Sequence, residues 1–314
     1  MTTRPKAFFI NGGAGRMICS IPAFEKYQEE VTDDFIIVCE GGSDIFKGHP
    51  TLDDKVYDAW HKNIFQDKLV NMDIISTEPY RIWEYYNQQC SLSQAFDLEI
   101  NNKGVRDLPA PTLNLSKDEL LFGRQVINEV KSRTKKDKVV VIQPFGRGIE
   151  IVDDTLIDRT ARSIELRNLK QIIKRLQKEG FGIVVMSEFK VDLTDEKLKD
   201  EVAFPENVPL RQWGAIIKHA DHFLGCDSVG QHLAYSMEKN ATVITGSTYP
   251  INVSYPDCDF ITIMDLGEID REYSPIRITI DERVDRKMEN IMTMTDDIVD
   301  HIITHITEST KVTE

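Results

Sequence analysis

The sequence predicts an α/β protein of two domains, each a parallel β-sheet covered by helices on both faces, the two facing a central cleft. Short β-rich apolar runs alternate with segments of helical spacing, the pattern expected of parallel sheets. The alternation occurs twice, and each round opens on a strand that runs into a glycine-containing loop. Between the rounds, residues 108–116 hold two prolines and no helical period, the composition of an extended linker. A chain of 314 residues is comfortable for two domains of roughly 150 residues each.

In the first round AFFI (7–10) is the opening strand. Asn11-Gly12-Gly13-Ala14-Gly15 leads from it into a segment that keeps Ile18, Ile21, Phe24 and Tyr27 on one side. FIIVCE (35–40) follows, and FDLEIN (96–101) reads as the apolar run that closes this half. Ser116 and Glu119 form a capping-box pattern, which opens a helix carrying Leu120, Ile127 and Val130. In the second round VVVIQPFGRG (139–148) is a buried-strand run ending in a glycine loop. The helix at 168–180 is expected to take Asn168 as its cap, bury Leu169, Ile172, Ile173 and Leu176, and stop at Gly180. GIVVMS, LRQWGAIIKHA, HFLGC, HLAYSM and ATVITG complete the alternation. The division that follows is a first domain at 1–115 and a second at 116–283. An acidic final helix at 284–309 is free to pack on the second domain or back on the first.

Hydrophobic residues make up 41% and charged residues 29%, an ordinary globular composition. No apolar run approaches the roughly 20 residues that span a bilayer. AFFI runs into a glycine loop and not into a cleavage site, so a cytoplasmic protein without a secretory signal is expected. The five cysteines are odd in number and scattered without a CxxC pair. They read as reduced thiols and offer no zinc site. A net charge of −14 disfavours gripping a long polyanion over a wide surface, yet tolerates a local basic pocket for one diphosphate.

Open α/β sheets bind ligands at the carboxyl ends of their strands, where glycines let the backbone come close. The loop at 11–16 holds that position. A dinucleotide reading would set Glu40 on a ribose, but Ile18 stands where the third glycine of that fingerprint belongs. The loop at 143–148 holds the equivalent position, and nothing in it resembles GxxxxGK[ST], which argues against a P-loop ATPase. Arg147, flanked by Gly146 and Gly148, instead offers a planar donor beside backbone N–H groups, a combination suited to a phosphate. Arg162-Ser163 would supply a second cation. Tight turns carrying solvated arginines account for the same residues. The cluster Tyr80, Trp83, Tyr85 and Tyr86 would stack on sugar, base or lipid, with core packing as the default. His301 and His305 are spaced i, i+4 but lack the intervening glutamate of a zinc-protease helix.

The most informative stretch is HFLGCDSVGQHLA (222–234). A strand ends at Gly225 and a helix begins near Ser228, so the first turn presents N–H groups and a positive dipole end to an anion. Asp227 would accept from a sugar or ribose hydroxyl, with His232 one turn in. Asp227-Ser228 acting only as a helix cap is the competing account.

LGCDSVGQHLA, followed after one strand by ATVITGSTYP, resembles the donor-binding region of glycosyltransferase family 9, the lipopolysaccharide heptosyltransferases. That family reads G-x-D-[ST]-G-x-x-H-L-A and then G-x-T-x-P. Asp227, Ser228, His232, Leu233 and Ala234 match, as do Gly246, Thr248 and Pro250. Gln143-Pro144 and the loop after them fall where the family places its first phosphate-binding turn. GIVVMSE ends at Ser187-Glu188, where members contact the nucleoside. INGGAGRMICSIPAFEKY is similar to the family's opening strand, glycine loop and L-P-A-L helix. The resemblance covers most of the chain, is strongest at 223–250 and 8–27, and is weak between 40 and 135. In overall character the chain looks more like phage-encoded members than bacterial ones.

The resemblance implies a GT-B fold of two Rossmann-like domains, an acceptor domain followed by a nucleotide-sugar donor domain. Transfer would proceed with inversion, without a metal or other cofactor. Donor binding would fall to the glycine loops (Gly13 and Gly15, then Gly146 and Arg147), to Arg162 and Ser163, and to Ser187 and Glu188. The turn from Asp227 through Ser228, Val229 and Gly230 to His232, with Thr248, would complete it. Two departures stand out. The family's glycine after D-[ST] is Val229 here, with Gly230 one place later. Many heptosyltransferases carry an aspartate, believed to be the general base, where this chain has Arg16, and an arginine takes no proton at neutral pH. Arg16 would then neutralise the departing diphosphate or hold an acidic acceptor. The base would come from Glu40, Asp44, His49 or His61. A glycolipid, a saccharide or a hydroxylated DNA base are all open as acceptor, and a nucleotide-sugar binding protein that has lost catalysis is the alternative outside enzymes.

Overall fold

The computed structural model describes residues 4–31, 34–146, 148–152, 155–188, 201–272 and 289–311. Contacts divide the chain into two compact units between Ser116 and Lys117.

In the first unit β1 (Lys6–Ile10), β2 (Phe35–Cys39), β3 (Val56–Asp58) and β4 (Asp73–Ser76) form a parallel sheet in the order β3-β2-β1-β4. Helix α1 (Ala14–Glu30) follows β1. Phe8 of β1, Phe24 and Tyr27 of α1, and Phe35 of β2 close into one aromatic cluster with ring centroids 5.0–6.2 Å apart. Most of these pairs meet edge to face, as ring quadrupoles favour. This is the core that seats α1 on the sheet and so fixes the loop before it. Helix α2 (Trp83–Tyr86) and helix α3 (Leu92–Asn101) complete the unit.

Residues 96–101 belong to α3 and not to a strand. Phe96, Leu98 and Ile100 alternate like a half-buried strand, but Phe96 and Ile100 are also one helical turn apart, and both are buried. The capping box decides: Ser91 Oγ accepts from Gln94 N (3.3 Å) and Gln94 Oε1 accepts from Ser91 N (3.0 Å).

The second unit begins with α4 (Lys117–Thr134) and holds a six-stranded parallel sheet. Its strands are β5 (Lys138–Gln143), β8 (Phe181–Val185), β9 (Val202–Ala203), β10 (His222–Cys226), β11 (Ala241–Thr245) and β12 (Ile261–Asp265). Their spatial order is β12-β11-β10-β5-β8-β9. A two-stranded antiparallel hairpin, β6 (Ile149–Val152) and β7 (Thr155–Asp158), leaves the sheet after β5. Helices α5 (Leu166–Lys178), α6 (Leu210–His219), α7 (Val229–Ser236), α8 (Pro250–Val253) and α9 (Asp296–Ser309) follow in turn.

Val140 and Ile142, Ile183 and Val185, and Leu224 and Cys226 face one way along their strands. They form one core with Leu169, Ile172, Ile173 and Leu176 of α5 and Val299, Ile302, Ile303 and Ile306 of α9. Each such buried aliphatic stabilises the unit by about 1.5–3 kcal/mol relative to exposure. One expectation is corrected here. Asn168 is not the cap of α5: it lies inside the helix, buried, and its Nδ2 donates to Met294 O at 3.1 Å. The final helix, which the sequence left free to pack on either domain, packs on α5 of the second unit, and its described part starts at Asp296. Gly180, with φ of 90°, does turn the chain after α5.

In sequence order the strands of both sheets follow the doubly wound rule, 3-2-1-4 in the first unit and 3-2-1-4-5-6 in the second. The direction of progression reverses between β1 and β4, and between β5 and β10. Such reversal points leave a crevice at the carboxyl ends of the two strands, where ligands of this architecture bind.

Candidate functional site

At the reversal point of the second unit β5 and β10 lie side by side, with Gly225 opposite Gln143. Gln143, 7% exposed, ties the two strand ends together. Its Oε1 accepts from Gly230 N at 2.7 Å and its Nε2 donates to Ser228 Oγ at 3.1 Å. Ser228 is the N-cap position of α7 but its own side chain caps nothing, and one of the first-turn N–H groups expected to face a ligand, that of Gly230, is occupied by the Gln143 side chain. The same contact explains the shifted glycine. A Cβ at position 230 would lie 2.4 Å from Gln143 Oε1 and 2.5 Å from the Phe223 ring.

Asp227 sits at the centre of this edge and is buried. Its Oδ1 accepts from Gln231 Nε2 at 3.0 Å, and its Oδ2 accepts from Thr248 Oγ1 at 2.8 Å and lies 3.7 Å from Arg162 Nη1. Thr248 comes from the loop after β11, so the carboxylate joins two loops and the Arg162 turn. That turn is built by Asp158. Both its oxygens are saturated by Thr160 N and Oγ1, Arg162 N and Ser163 N at 2.6–2.9 Å. Burial works to raise the Asp158 pKa, but the hydrogen bonds from Ser163 and Thr160 outweigh it and the net shift is downward. Ser163 Oγ in turn accepts from Gly146 N at 3.0 Å, which pins the loop after β5. Ser247 Oγ donates to Thr160 O at 2.6 Å.

His232 is 7% exposed. Its Nδ1 is 2.7 Å from Tyr255 OH. Burial, partly offset by the Asp227 charge, pushes its pKa down to about 4, so the ring is neutral at pH 7. Ser187 and Glu188 follow β8, the first half-buried and the second exposed. Arg147 lies outside the described residues.

The first unit has its own constellation at the β1/β4 reversal point. Gly12, with φ of 94°, turns the chain after β1 and leaves room for the Arg16 side chain beneath it, since a Cβ there would lie 2.9 Å from Arg16 Cδ. Gly13 is the N-cap of α1, and Gly15 lies in its first turn. Glu40 Oε2 accepts from Gly12 N at 3.0 Å, which turns it toward the glycine loop. Arg16 is only 5% exposed. Its guanidinium lies 4.9 Å from the Tyr80 ring centroid and 5.6 Å from that of Phe96. Its Nη2 donates to Thr77 O at 3.4 Å, while Nη1 is 3.7 Å from Glu78 Oε1. Glu99 reaches the same point, both oxygens accepting from Glu78 N at 2.8–2.9 Å. Burial, and to a smaller degree the Glu78 charge, raises the Glu99 pKa against the opposing pull of the Glu78 N–H and Arg16.

The other candidate bases stand apart. Asp44 is exposed on a short 3₁₀ turn and His61 is exposed beyond β3. His49 is built into the fold: Nδ1 accepts from Thr51 N and Leu52 N at 3.2–3.3 Å, and Nε2 is 3.0 Å from Glu25 Oε1. Of the aromatic cluster, Tyr85 is core and Trp83 is 55% exposed.

No protein-family model matches the sequence, and a search of curated proteins returns no match. Solved structures do match. A glycosyl transferase of family 9 from Veillonella parvula superposes with a TM-score of 0.70 at 9% identity, over 98% of each chain. The fold is that of glycosyltransferase family 9. A dodecameric iron-containing heptosyltransferase, TibC, in complex with ADP-D-beta-D-heptose, gives 0.62 at 13% identity, over 98% of this chain and 77% of its own. The Escherichia coli heptosyltransferase WaaC with ADP gives 0.54 at 11%, over 98% and 99%. On this family 9 fold the residues singled out in the second unit's sequence gather at one sheet edge: Gly146, Arg162 and Ser163 with Asp227, Ser228, Gly230 and Thr248. Four participants were missed in the sequence. Asp158 and Tyr255 act through contacts that no local motif announces; Glu78 reaches Arg16 through the β1–β4 pairing, and Glu99 comes to the same point from α3, which packs on α1.

Proposed function

We propose that this chain is a glycosyltransferase that moves a sugar from a nucleotide-diphosphate sugar to an acceptor hydroxyl, with inversion and without a metal. The observation that carries the reading is the network at the β5/β10 reversal point. There one buried carboxylate, Asp227, joins the α7 turn, the Thr248 loop and Arg162. In this reading Asp227 is an organiser and not a ligand to a sugar hydroxyl, because both its oxygens are already engaged inside the protein.

Departure of a nucleoside diphosphate leaves negative charge that preorganised donors must meet. Arg162, held by the Asp158 turn and 21% exposed at its side chain, supplies such a cation, and the start of α7 supplies a dipole. Arg147, by its sequence position, would be the second cation. His232 is neutral, so it serves as a hydrogen-bonding group and not as a charge. The loop at Ser187-Glu188 would contact the nucleoside. The first unit would supply the acceptor side. The ADP and ADP-heptose bound by the structural neighbours make ADP-heptose the first donor to test.

The experiment is a donor screen. The protein is incubated with ADP-heptose, UDP-glucose, GDP-mannose and dTDP-rhamnose in buffer containing EDTA, and melting temperature and nucleoside diphosphate release are followed. At least one donor is expected to raise the melting temperature and to be turned over despite the chelator. With that donor radiolabelled, a glycolipid, a free saccharide and hydroxylated-cytosine DNA then compete as acceptors.

A further inference from the structure

We propose that the first unit carries a saccharide-binding subsite at the carboxyl edge of β2 and β3, with the Trp60 indole as its platform and Glu40 and Asp58 as its hydrogen-bonding rim. That the sugar ring bound there is the acceptor of the transfer rests on the reading above; the subsite itself is made by residues of the first unit alone.

Trp60 is 81% exposed. Tryptophan is a highly buried residue on average, so one that gives most of its surface to solvent is informative. The side chain is nonetheless anchored. Its Nε1 donates to Glu40 O at 3.3 Å, and the chain just before it is tied to the sheet, where Ala59 N donates to Cys39 O at 2.8 Å. Cys39 of β2 lies opposite Asp58 of β3, so Glu40 follows one strand and Trp60 follows the other at the same edge. An indole held by its polar edge keeps its apolar face for a ligand and has little freedom left to lose on binding.

The rim has unused acceptors. Glu40 is exposed, and its Oε2 accepts from Gly12 N at 3.0 Å, while Oε1 has no hydrogen-bond partner among the described residues. Asp58 is exposed too. Its Oδ1 accepts from Ser43 Oγ at 2.5 Å, and its Oδ2 has no partner among the described residues. Gly41, next to Glu40, borders open space: a Cβ placed there would meet no atom within 4 Å. A fixed aromatic face, two carboxylates and room beside them thus meet at the carboxyl ends of parallel strands, where ligands of this architecture bind.

The chemistry of these groups selects the ligand. A pyranose has a face of C–H groups, which packs on the negative face of an indole, and a rim of hydroxyls, which donate to carboxylate oxygens. A nucleobase would also stack on Trp60. Carried on a phosphodiester backbone, however, it would bring like charge to Glu40 and Asp58, as would a phosphorylated glycolipid. Two nearby cations are engaged away from this edge: Lys68 Nζ lies 4.6 Å from the Tyr57 ring centroid, and Lys55 Nζ lies 3.6 Å from Asp34 Oδ1. Lys62, two positions after Trp60, is exposed and does not by itself outweigh the two carboxylates. The subsite therefore takes an uncharged sugar ring.

The test titrates the full chain, without nucleotide-sugar, with the methyl glycosides of glucose, galactose, mannose and N-acetylglucosamine and with maltotriose, following binding by ligand-observed NMR. At least one is expected to bind saturably and to shift the tryptophan emission of the wild type. Trp60→Ala is expected to weaken that binding at least about tenfold, the scale of a central aromatic anchor, and to melt with the wild type, since the side chain it removes is exposed. Trp60→Phe, which keeps an aromatic face, should fall between the two. Gly41→Leu, which fills the open space, should abolish sugar binding and leave the donor-induced thermal shift intact. No binding of any of these sugars by the wild type overturns the subsite. So does undiminished binding in Trp60→Ala, or a loss matched by a fall in melting temperature. Tighter binding of glucose 6-phosphate or of a short single-stranded DNA than of every neutral sugar overturns the choice of ligand. The donor screen is read separately. A donor bound with no sugar bound sinks this inference and leaves the transferase reading standing; a sugar bound through Trp60 with no donor bound sinks that reading and the acceptor assignment, and upholds the subsite.

Discussion

Substituting Asp227 two ways separates its structural role from any role in holding the donor. The carboxylate is 5% exposed, accepts from Thr248 Oγ1 and Gln231 Nε2, and faces Arg162. Asp227→Ala strands two buried donors, each costing about 1–3 kcal/mol when left unpaired, and removes the carboxylate from beside Arg162. Deleting one partner of a buried ion pair costs about 3–5 kcal/mol. The terms share one cavity and do not add, so the expected loss is about 3–5 kcal/mol in all. Asp227→Asn keeps the shape, keeps an oxygen for Thr248, and offers an amide N–H that Gln231 meets by rotating its own amide. It loses charge assistance alone, about 1–2 kcal/mol. Urea unfolding at pH 7.5 measures both, and the thermal shift with the best donor measures binding. Asp227→Asn is expected to bind within about tenfold of wild type, about 1.4 kcal/mol, whereas Arg162→Ala loses the shift. An alanine variant within 1 kcal/mol of wild type, roughly the scatter of a surface substitution, would refute the reasoning. So would an asparagine variant as damaged as the alanine one.

Two further outcomes follow from the same geometry. Burial pushes the pKa of His222 down to about 3 and that of His232 down to about 4, from 6.5. Both rings are neutral in the folded chain and protonate more readily when it unfolds, so their contribution is complete above pH 6.5 and is lost as pH falls toward 4 and 3. Two protons taken up on unfolding give a slope approaching about 2.7 kcal/mol per pH unit. Urea midpoints measured from pH 7.5 to 5 should fall accordingly, and His222→Asn should flatten the fall; stability independent of pH in this window would contradict it. Gly230→Ala should cost about 1–3 kcal/mol through overpacking against Gln143 and Phe223 and abolish the donor shift. A fully stable, donor-binding variant would show that Gln143 does not cap α7.

The second unit was legible because its signals are local. Val139 to Ile142 and His222 to Cys226 are strands buried on both faces, and such strands read as unbroken apolar runs. Each turns directly into a loop whose residues serve the site. The first unit hid more. β3 and β4 are short, and β4 lies at the sheet edge with most of its residues exposed, so neither stands out from loop sequence. Glu78 follows β4 and meets Arg16 across 62 positions, through strand pairing that no spacing encodes. FDLEIN misled because a four-residue repeat of large apolar groups fits both periods when the segment is short. The capping box upstream was the available signal. Asn168 misled for the opposite reason: a residue of capping type sits two positions inside a helix because Met294 O, more than a hundred residues on, takes its amide.

The central claim is that the β5/β10 edge of the second unit holds a nucleotide-diphosphate sugar. Titration calorimetry of the purified chain with ADP-heptose, UDP-glucose, GDP-mannose and dTDP-rhamnose, repeated on Arg162→Ala and Asp227→Asn, tests it most directly. The account predicts saturable binding of at least one donor, lost in Arg162→Ala and kept in Asp227→Asn. No heat from any donor with the wild type, or undiminished affinity in Arg162→Ala, would contradict it.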